Sequence, residues 1–200
     1  MLVVGVAGPA GSGKSTVCRL LSRRPGFAHL DCDRLAWETY ETNGPAYRAL
    51  IATFGRGILT PAGTIDRTKL GKLVLTDPEK RRRLEAIVHP LVVERIRSEI
   101  EGAPKRGMKV LLVEGALLFH SPYVPRELFH LPIWLEAPEE VRRARLRAAG
   151  LPEEVVETRL AAQRALRPPP WATVVDATPP PEEVARRVLS LIQGARGGPG

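Results

Sequence analysis

Short apolar runs alternate with longer stretches of helical periodicity along this chain. Leu2-Val3-Val4-Gly5-Val6-Ala7 is apolar throughout, as expected for a strand buried on both faces of a parallel sheet. Residues 28–31, 109–113, 131–135 and 173–175 are further strand-length runs. After the first run, Val17, Leu20 and Leu21 share one helical face at i, i+3, i+4. Residues 34–100 read as mostly helical, with breaks at Gly44-Pro45, at Thr60-Pro61-Ala62-Gly63 and at Pro78. Leu84, Ile87, Val88 and Leu91 form an apolar stripe there, and Pro90 is expected to kink or split that helix. Pro138 suits the first position of a helix whose inner face would carry Val141, Ala144 and Ala148. Pro152 opens another helix reaching about residue 166, which Pro168-Pro169-Pro170 ends. A last helix is expected over 182–192, followed by a disordered tail over 194–200. There is no internal repeat. Strands alternating with helices predict an α/β fold with a parallel sheet covered on both faces.

Composition narrows the class. The 200 residues suit a single domain, here 1–193, and 44% apolar with 26% charged residues is too apolar for disorder. No apolar run approaches the roughly 20 residues that span a bilayer, so no membrane association is expected. The N-terminus enters its first strand without a charged region, so no secretory signal is expected. Cys18 and Cys32 lack metal-ligand spacing, which favours reduced thiols and a cytoplasmic location. The formal charge is +8, and arginine outnumbers lysine 24 to 6. That balance fits phosphate ligands but does not choose among nucleotides, coenzymes and nucleic acid.

The choice is made by Gly8-Pro9-Ala10-Gly11-Ser12-Gly13-Lys14-Ser15, which satisfies G-x-x-x-x-G-K-[ST] between an apolar strand and a helix. Gly8, Gly11 and Gly13 let successive backbone N–H groups, that of Ser12 among them, turn inward around anionic oxygens. The helix N-terminus adds positive potential, and Lys14 reaches the β- and γ-phosphates. Ser15 offers its hydroxyl to Mg²⁺, and Thr16 can bond the α-phosphate. This is the pattern of a nucleoside triphosphate site. No Asn-Lys-x-Asp base reader and no Leu-Ser-Gly-Gly signature is present, and the chain is short for a motor. A small-molecule or nucleotide kinase remains, with a three-layer α/β/α P-loop kinase fold around a five-stranded parallel sheet.

Several further segments resemble the dephospho-CoA kinase family. They are Asp31-Cys32-Asp33, the stretch from Gly44 to Phe54-Gly55, Gly63-Thr64-Ile65-Asp66-Arg67, Leu84-Glu85-Ala86-Ile87-Val88-His89-Pro90-Leu91, and the arginine-bearing segment from Arg143 to Ala161-Ala162-Gln163. The resemblance covers roughly residues 2–176. It implies ATP and dephospho-CoA as substrates, transfer to a ribose 3′-hydroxyl with Mg²⁺, a helical acceptor subdomain near 34–105 and a lid near 142–167. No nucleic-acid partner is expected. The sequence departs from the family at Pro9, where a glycine is usual, at His120, where an acid is usual, and at Ala177, where an asparagine is usual. Gly8-Pro9-Ala10 is instead similar to cytidylate kinases, which makes a nucleoside monophosphate acceptor the first rival. A non-catalytic nucleic-acid-binding protein is the second, against which the ten scattered aromatic residues argue.

Asp33, at the expected carboxyl edge of the sheet, can accept the proton of an attacking hydroxyl, or can be a helix N-cap. Asp31 is the next candidate for that base. Glu114, ending the third strand, can hold Mg²⁺ through water, or can face solvent. Arg142, Arg143, Arg145 and Arg147 crowd one helix, Arg143 and Arg147 on one face, and would repel unless an anion is near, as in a lid closing over triphosphate. The alternative is a solvated face paired with Glu139 and Glu140. Arg159 and Gln163 can join that lid or form a surface pair. By resemblance, Arg67 belongs to the acceptor site. His89, before a proline and so pushed from helical geometry, is expected either in the acceptor cleft or as a satisfied buried histidine.

Overall fold

A computed structural model describes residues 1–75 and 77–197. Five parallel strands, β1 (Leu2–Ala7), β2 (Phe27–Asp31), β3 (Val110–Glu114), β4 (Leu131–Glu136) and β5 (Thr173–Asp176), form one sheet in the order β2-β3-β1-β4-β5. The expected α/β class and strand number hold. The central strands carry apolar side chains on both faces. In β3, Val110 and Leu112 join one core while Leu111 and Val113 join the other. In β4, Ile133 and Leu135 face one way and Trp134 the other. Alternation at period two with both faces covered explains the uninterrupted apolar runs.

One face is covered by α1 (Lys14–Ser22) and α8 (Pro181–Gly197), which supply Val17, Cys18, Leu21, Val184, Val188 and Ile192 to that core. The other face is covered by the helical region α2 (Cys32–Thr39), α3 (Tyr47–Phe54), α4 (Arg67–Leu75) and α5 (Pro78–Gly102). The remaining pair, α6 (Glu139–Ala148) and α7 (Glu153–Ala162), encloses a small cluster of Leu146, Val156 and Leu160.

Four local expectations differ from what is observed. Pro90 does not split its helix: α5 runs unbroken for 25 residues with Pro90 inside. Val88, Val92, Val93 and Ile96 are buried around it, and this packing offsets the backbone hydrogen bond that proline removes. On α6 the buried positions are Arg142 and Leu146, one turn apart, while Ala144 and Ala148 are exposed. The helix is rotated from its expected setting because Arg142 is drawn inward by two backbone carbonyls. The helix expected to reach about residue 166 ends at Ala162. Finally, α8 continues past Ile192 to Gly197, so the expected tail is helical over 194–197, and 198–200 lie outside the described residues. Among the described residues, no helix is long and apolar enough to cross a membrane.

Candidate active site

The crossovers leave β1 on opposite sides, toward β2 and β3 one way and β4 and β5 the other, and the phosphate loop follows β1 at that point. A crevice outside the carboxyl ends of the strands is where this class of fold binds ligands. Asp31 and Glu114 end neighbouring strands at one register position. They reach the same crevice as the loop.

Glycine is required in the loop for contact as well as for φ. Gly11 has φ +80°, and a Cβ there would lie 2.5 Å from the Arg142 carbonyl oxygen. Gly8 leaves no room for a Cβ against the Leu135 carbonyl. The Pro9 carbonyl accepts from Ser12 N at 3.1 Å and from Lys14 Nζ at 3.1 Å. That position contributes a carbonyl, which any residue has, so proline in place of glycine leaves the turn intact. Ser12 is 1% exposed, and its hydroxyl has no hydrogen-bond partner.

The loop lines a cleft of about 700 Å³, together with Ser15, Thr16, Asp31, Asp33, Glu114 and Arg159. The Asp31 carboxylate accepts from Asp33 N at 2.9 Å and Arg34 N at 3.1 Å, so Asp31 is the N-cap of α2. That frees Asp33 from the capping role. Loss of hydration in the cleft, then the Asp31 carboxylate, pushes the Asp33 carboxyl above its ordinary value; Glu114 adds to this, while Lys14 and Arg159 oppose it. Burial lowers Lys14 below the usual lysine range, with Glu114 and Asp33 working against the shift. Glu114 does not face solvent. It is 2% exposed, and both carboxylate oxygens lack a hydrogen-bond partner.

Asp33 also lines a second, smaller recess with Cys32, His89, Val92, Leu118 and Ser121. His89 reaches it from inside α5, not from extended backbone, and its Nδ1 lies 2.9 Å from Ser121 Oγ. Burial lowers the His89 pKa, which favours the neutral ring, with Glu85 opposing the shift. Arg67 lines a third recess with Trp37, Tyr40 and Glu41, its guanidinium carbon 4.7 Å from the Trp37 ring centroid. Trp37 borders the phosphate-loop cleft as well, so the helical region meets the phosphate loop across Asp33 and Trp37.

The arginines of α6 are placed differently from expectation. Arg143 and Arg147 do not line the cleft. Arg143 pairs with Glu139 at 2.7 Å and with Glu157, and Arg147 pairs with Glu153. The cleft instead receives Arg145, whose guanidinium donates to the carbonyls of Ala177, Thr178 and Pro179, and Arg159 from α7. Among the described residues the Arg159 guanidinium has no hydrogen bond or ion pair. Gln163 Oε1 accepts from Ala10 N at 2.5 Å, and Arg142 donates to the Ala10 carbonyl at 3.3 Å, so this helix pair is docked on the loop. Ala177 is buried against the cleft, its N–H donating to the Glu136 carbonyl at 2.7 Å. Sequence reasoning missed Trp37, and among the crowded arginines of α6 it singled out Arg143 and Arg147 over Arg145. Recognising Leu146 as the core position of α6 would have turned Arg145 toward the loop.

The family model for dephospho-CoA kinase matches residues 2–168. The chain belongs to the dephospho-CoA kinase family. A dephospho-CoA kinase from Geobacter sulfurreducens is 35% identical over 193 residues, which covers 96% of this chain and 97% of that one. One from Streptomyces avermitilis is 39% identical over 191 residues, covering 94% and 91%. The crystal structure of TT1252 from Thermus thermophilus superposes with a TM-score of 0.74 at 32% identity, covering 98% of each chain. Membership of the dephospho-CoA kinase family makes this chain a kinase, an ATP-dependent transferase, and does not favour the cytidylate-type and nucleic-acid-binding alternatives.

Proposed function

We propose that this chain transfers the γ-phosphoryl group of ATP to the ribose 3′-hydroxyl of dephospho-CoA. The observation that carries the reading is the position of Asp33, on the wall shared by the phosphate-loop cleft and the recess of His89 and Ser121. A carboxylate between a triphosphate and an acceptor is where proton removal from an attacking hydroxyl is needed. Its raised pKa makes it a stronger base than an ordinary aspartate.

Gly8, Gly11 and Gly13 with Lys14 and Thr16 hold the triphosphate through backbone N–H groups, the lysine charge and the threonine hydroxyl, while the Ser12 N–H closes the turn on the Pro9 carbonyl. The donor set fits Mg²⁺: Ser15 opens onto the cleft, and the two partnerless oxygens of Glu114 can face the ion through water. There Mg²⁺ supplies charge neutralisation on the phosphate oxygens. Lys14 and Arg159 add positive charge from the protein, and because the transition state is loose, positioning and charge neutralisation account for most of the catalysis. Arg67 and His89 orient the acceptor, Arg67 braced on Trp37 and His89 on Ser121. The α6–α7 pair, docked through Gln163 and Arg142, keeps water from the transferring group.

A coupled assay with ATP tests the acceptor. Dephospho-CoA should be used with kcat/KM at least about 100-fold above CMP, a gap that a few acceptor contacts can supply. Equal or better use of CMP would reverse the assignment.

A further inference from the structure

Beneath the phosphate loop, in the layer between the sheet and α1, three side chains converge. Ala28 and Leu30 pack toward the α2–α5 core, which turns His29 to the opposite face of β2, toward α1. Glu114 alternates with Val113, which also faces the α2–α5 core, and so lies on His29's side. Cys18 descends onto that face from α1, one turn past Lys14. One donor atom from each of Cys18, His29 and Glu114 lies within 4.8 Å of the other two.

The donor atoms of the cluster are buried, the Cys18 thiol lying against the Glu114 carboxylate. Both Glu114 oxygens and His29 Nε2 have no hydrogen-bond partner, although Nε2 and Oε1 are 3.3 Å apart. Buried polar atoms that face one another without hydrogen bonds are costly unless something between them accepts their lone pairs. A cation does so. Metal–nitrogen and metal–oxygen bonds of about 2.0–2.2 Å at a tetrahedral angle put the two ligand atoms about 3.4 Å apart, close to the separation seen. Thiolate, imidazole and one carboxylate together select a borderline-soft ion of the zinc class, not Mg²⁺, which prefers oxygen donors.

We propose that Cys18, His29 and Glu114 form a binding site for one divalent ion of the zinc class. Coordination releases the thiol proton to solvent, and the fourth position opens toward the cleft that Glu114 lines. Binding is independent of the kinase reading. One consequence rests on it: an ion held here takes the Glu114 carboxylate away from Mg²⁺, so zinc slows phosphoryl transfer.

The test is titration of the reduced, chelator-free protein with Co²⁺ in the absence of nucleotide. One equivalent should bind with an intense near-ultraviolet thiolate-to-cobalt band, which equimolar Zn²⁺ removes. Cys18→Ser should abolish the band and weaken Zn²⁺ at least about 100-fold, since even outer-shell partners are worth 10–100-fold. Should that variant fold poorly, His29→Gln keeps the test open, with weaker Zn²⁺ binding but a retained thiolate band. Absence of the band in the unsubstituted chain, or Zn²⁺ affinity unchanged in both variants, would overturn the site. With saturating Mg²⁺ and ATP, Zn²⁺ should slow the unsubstituted enzyme and spare Cys18→Ser. Equal slowing of the two would overturn the inhibitory consequence alone.

Discussion

The phosphate loop and the α6–α7 pair both gather groups suited to an anion, and they do so by opposite means. In the loop the donors are backbone N–H groups, fixed by positive φ at Gly8, Gly11 and Gly13. They have no freedom to turn elsewhere. On α6 the donors are long side chains, and four arginines within six residues go to different partners. Arg142 reaches the carbonyls of Ala10 and Ala137, Arg143 goes to Glu139 and Glu157, Arg145 goes to carbonyls near Ala177, and Arg147 goes to Glu153. A density of positive charge therefore does not say whether its partners are phosphates, the protein's own carboxylates or backbone carbonyls. Backbone geometry specifies a ligand; charge density only permits one.

The comparison breaks first if the fixed part of the site is not where the chemistry lies. The largest expected effect is that of Asp33→Asn, which keeps the shape and cannot take a proton: kcat should fall roughly 10²–10⁴-fold with ATP affinity little changed. Stability should move the other way. A carboxyl whose folded pKa is raised contributes stability below its unfolded pKa and loses it as pH rises through the folded value. Above that folded value an ionised Asp33 is therefore a net cost, and thermal melts there should find Asp33→Asn no less stable than the unsubstituted chain. The same sign puts the acid limb of the kcat/KM profile above the ordinary aspartate range. Asp31→Ala should behave in reverse, losing on the order of 1 kcal/mol of stability with its two capping hydrogen bonds. If Asp33→Asn leaves kcat within about threefold, proton removal lies elsewhere, since a general base supplies far more. Next in size, Lys14→Ala should cost about 3–4 kcal/mol of transition-state stabilisation while the fold survives, because Lys14 lines the cleft.

What was legible beforehand divides along the same line. The five strands, the loop and the helix after it follow from local pattern: period-two burial, a glycine turn and an i, i+3, i+4 face are each set by neighbours in sequence. The strand-end positions of Asp31 and Glu114 could be read for the same reason. What could not be read depended on partners far along the chain. Whether Asp31 or Asp33 caps α2 depends on which carboxylate meets two free amides, a matter of one residue in the setting of the helix. Pro90 reads as a break, because the stripe that carries α5 through it is stabilised by packing against other elements. Arg159 and Gln163 reach the loop only because α7 folds back on α6 over Leu146, Val156 and Leu160. The Cys18, His29 and Glu114 cluster joins three elements separated by up to 96 residues and has no sequence signature.

The smaller effects sharpen the contrast within the helix pair itself. Arg159 lines the cleft, acts electrostatically on Asp33 and has no partner among the described residues. Arg159→Ala should therefore lower kcat by about 10²-fold, the cost of removing one preorganised donor from a transferring group. Arg147 is exposed and paired to Glu153 across the turn that joins α6 to α7. Exposed pairs of this kind contribute little, so Arg147→Ala should leave kcat within about twofold. Salt separates the two further. The Arg147–Glu153 pair is screened by added salt, so the small stability difference between Arg147→Ala and the unsubstituted chain should vanish in high salt. The Arg159 effect on kcat should persist, because closure over the nucleotide removes that guanidinium from bulk solvent. If Arg147→Ala loses kcat as deeply as Arg159→Ala, the helix pair must rearrange during turnover so that the Arg147–Glu153 pair opens toward the nucleotide. The arrangement seen here would then be a resting state and not the one that transfers phosphate.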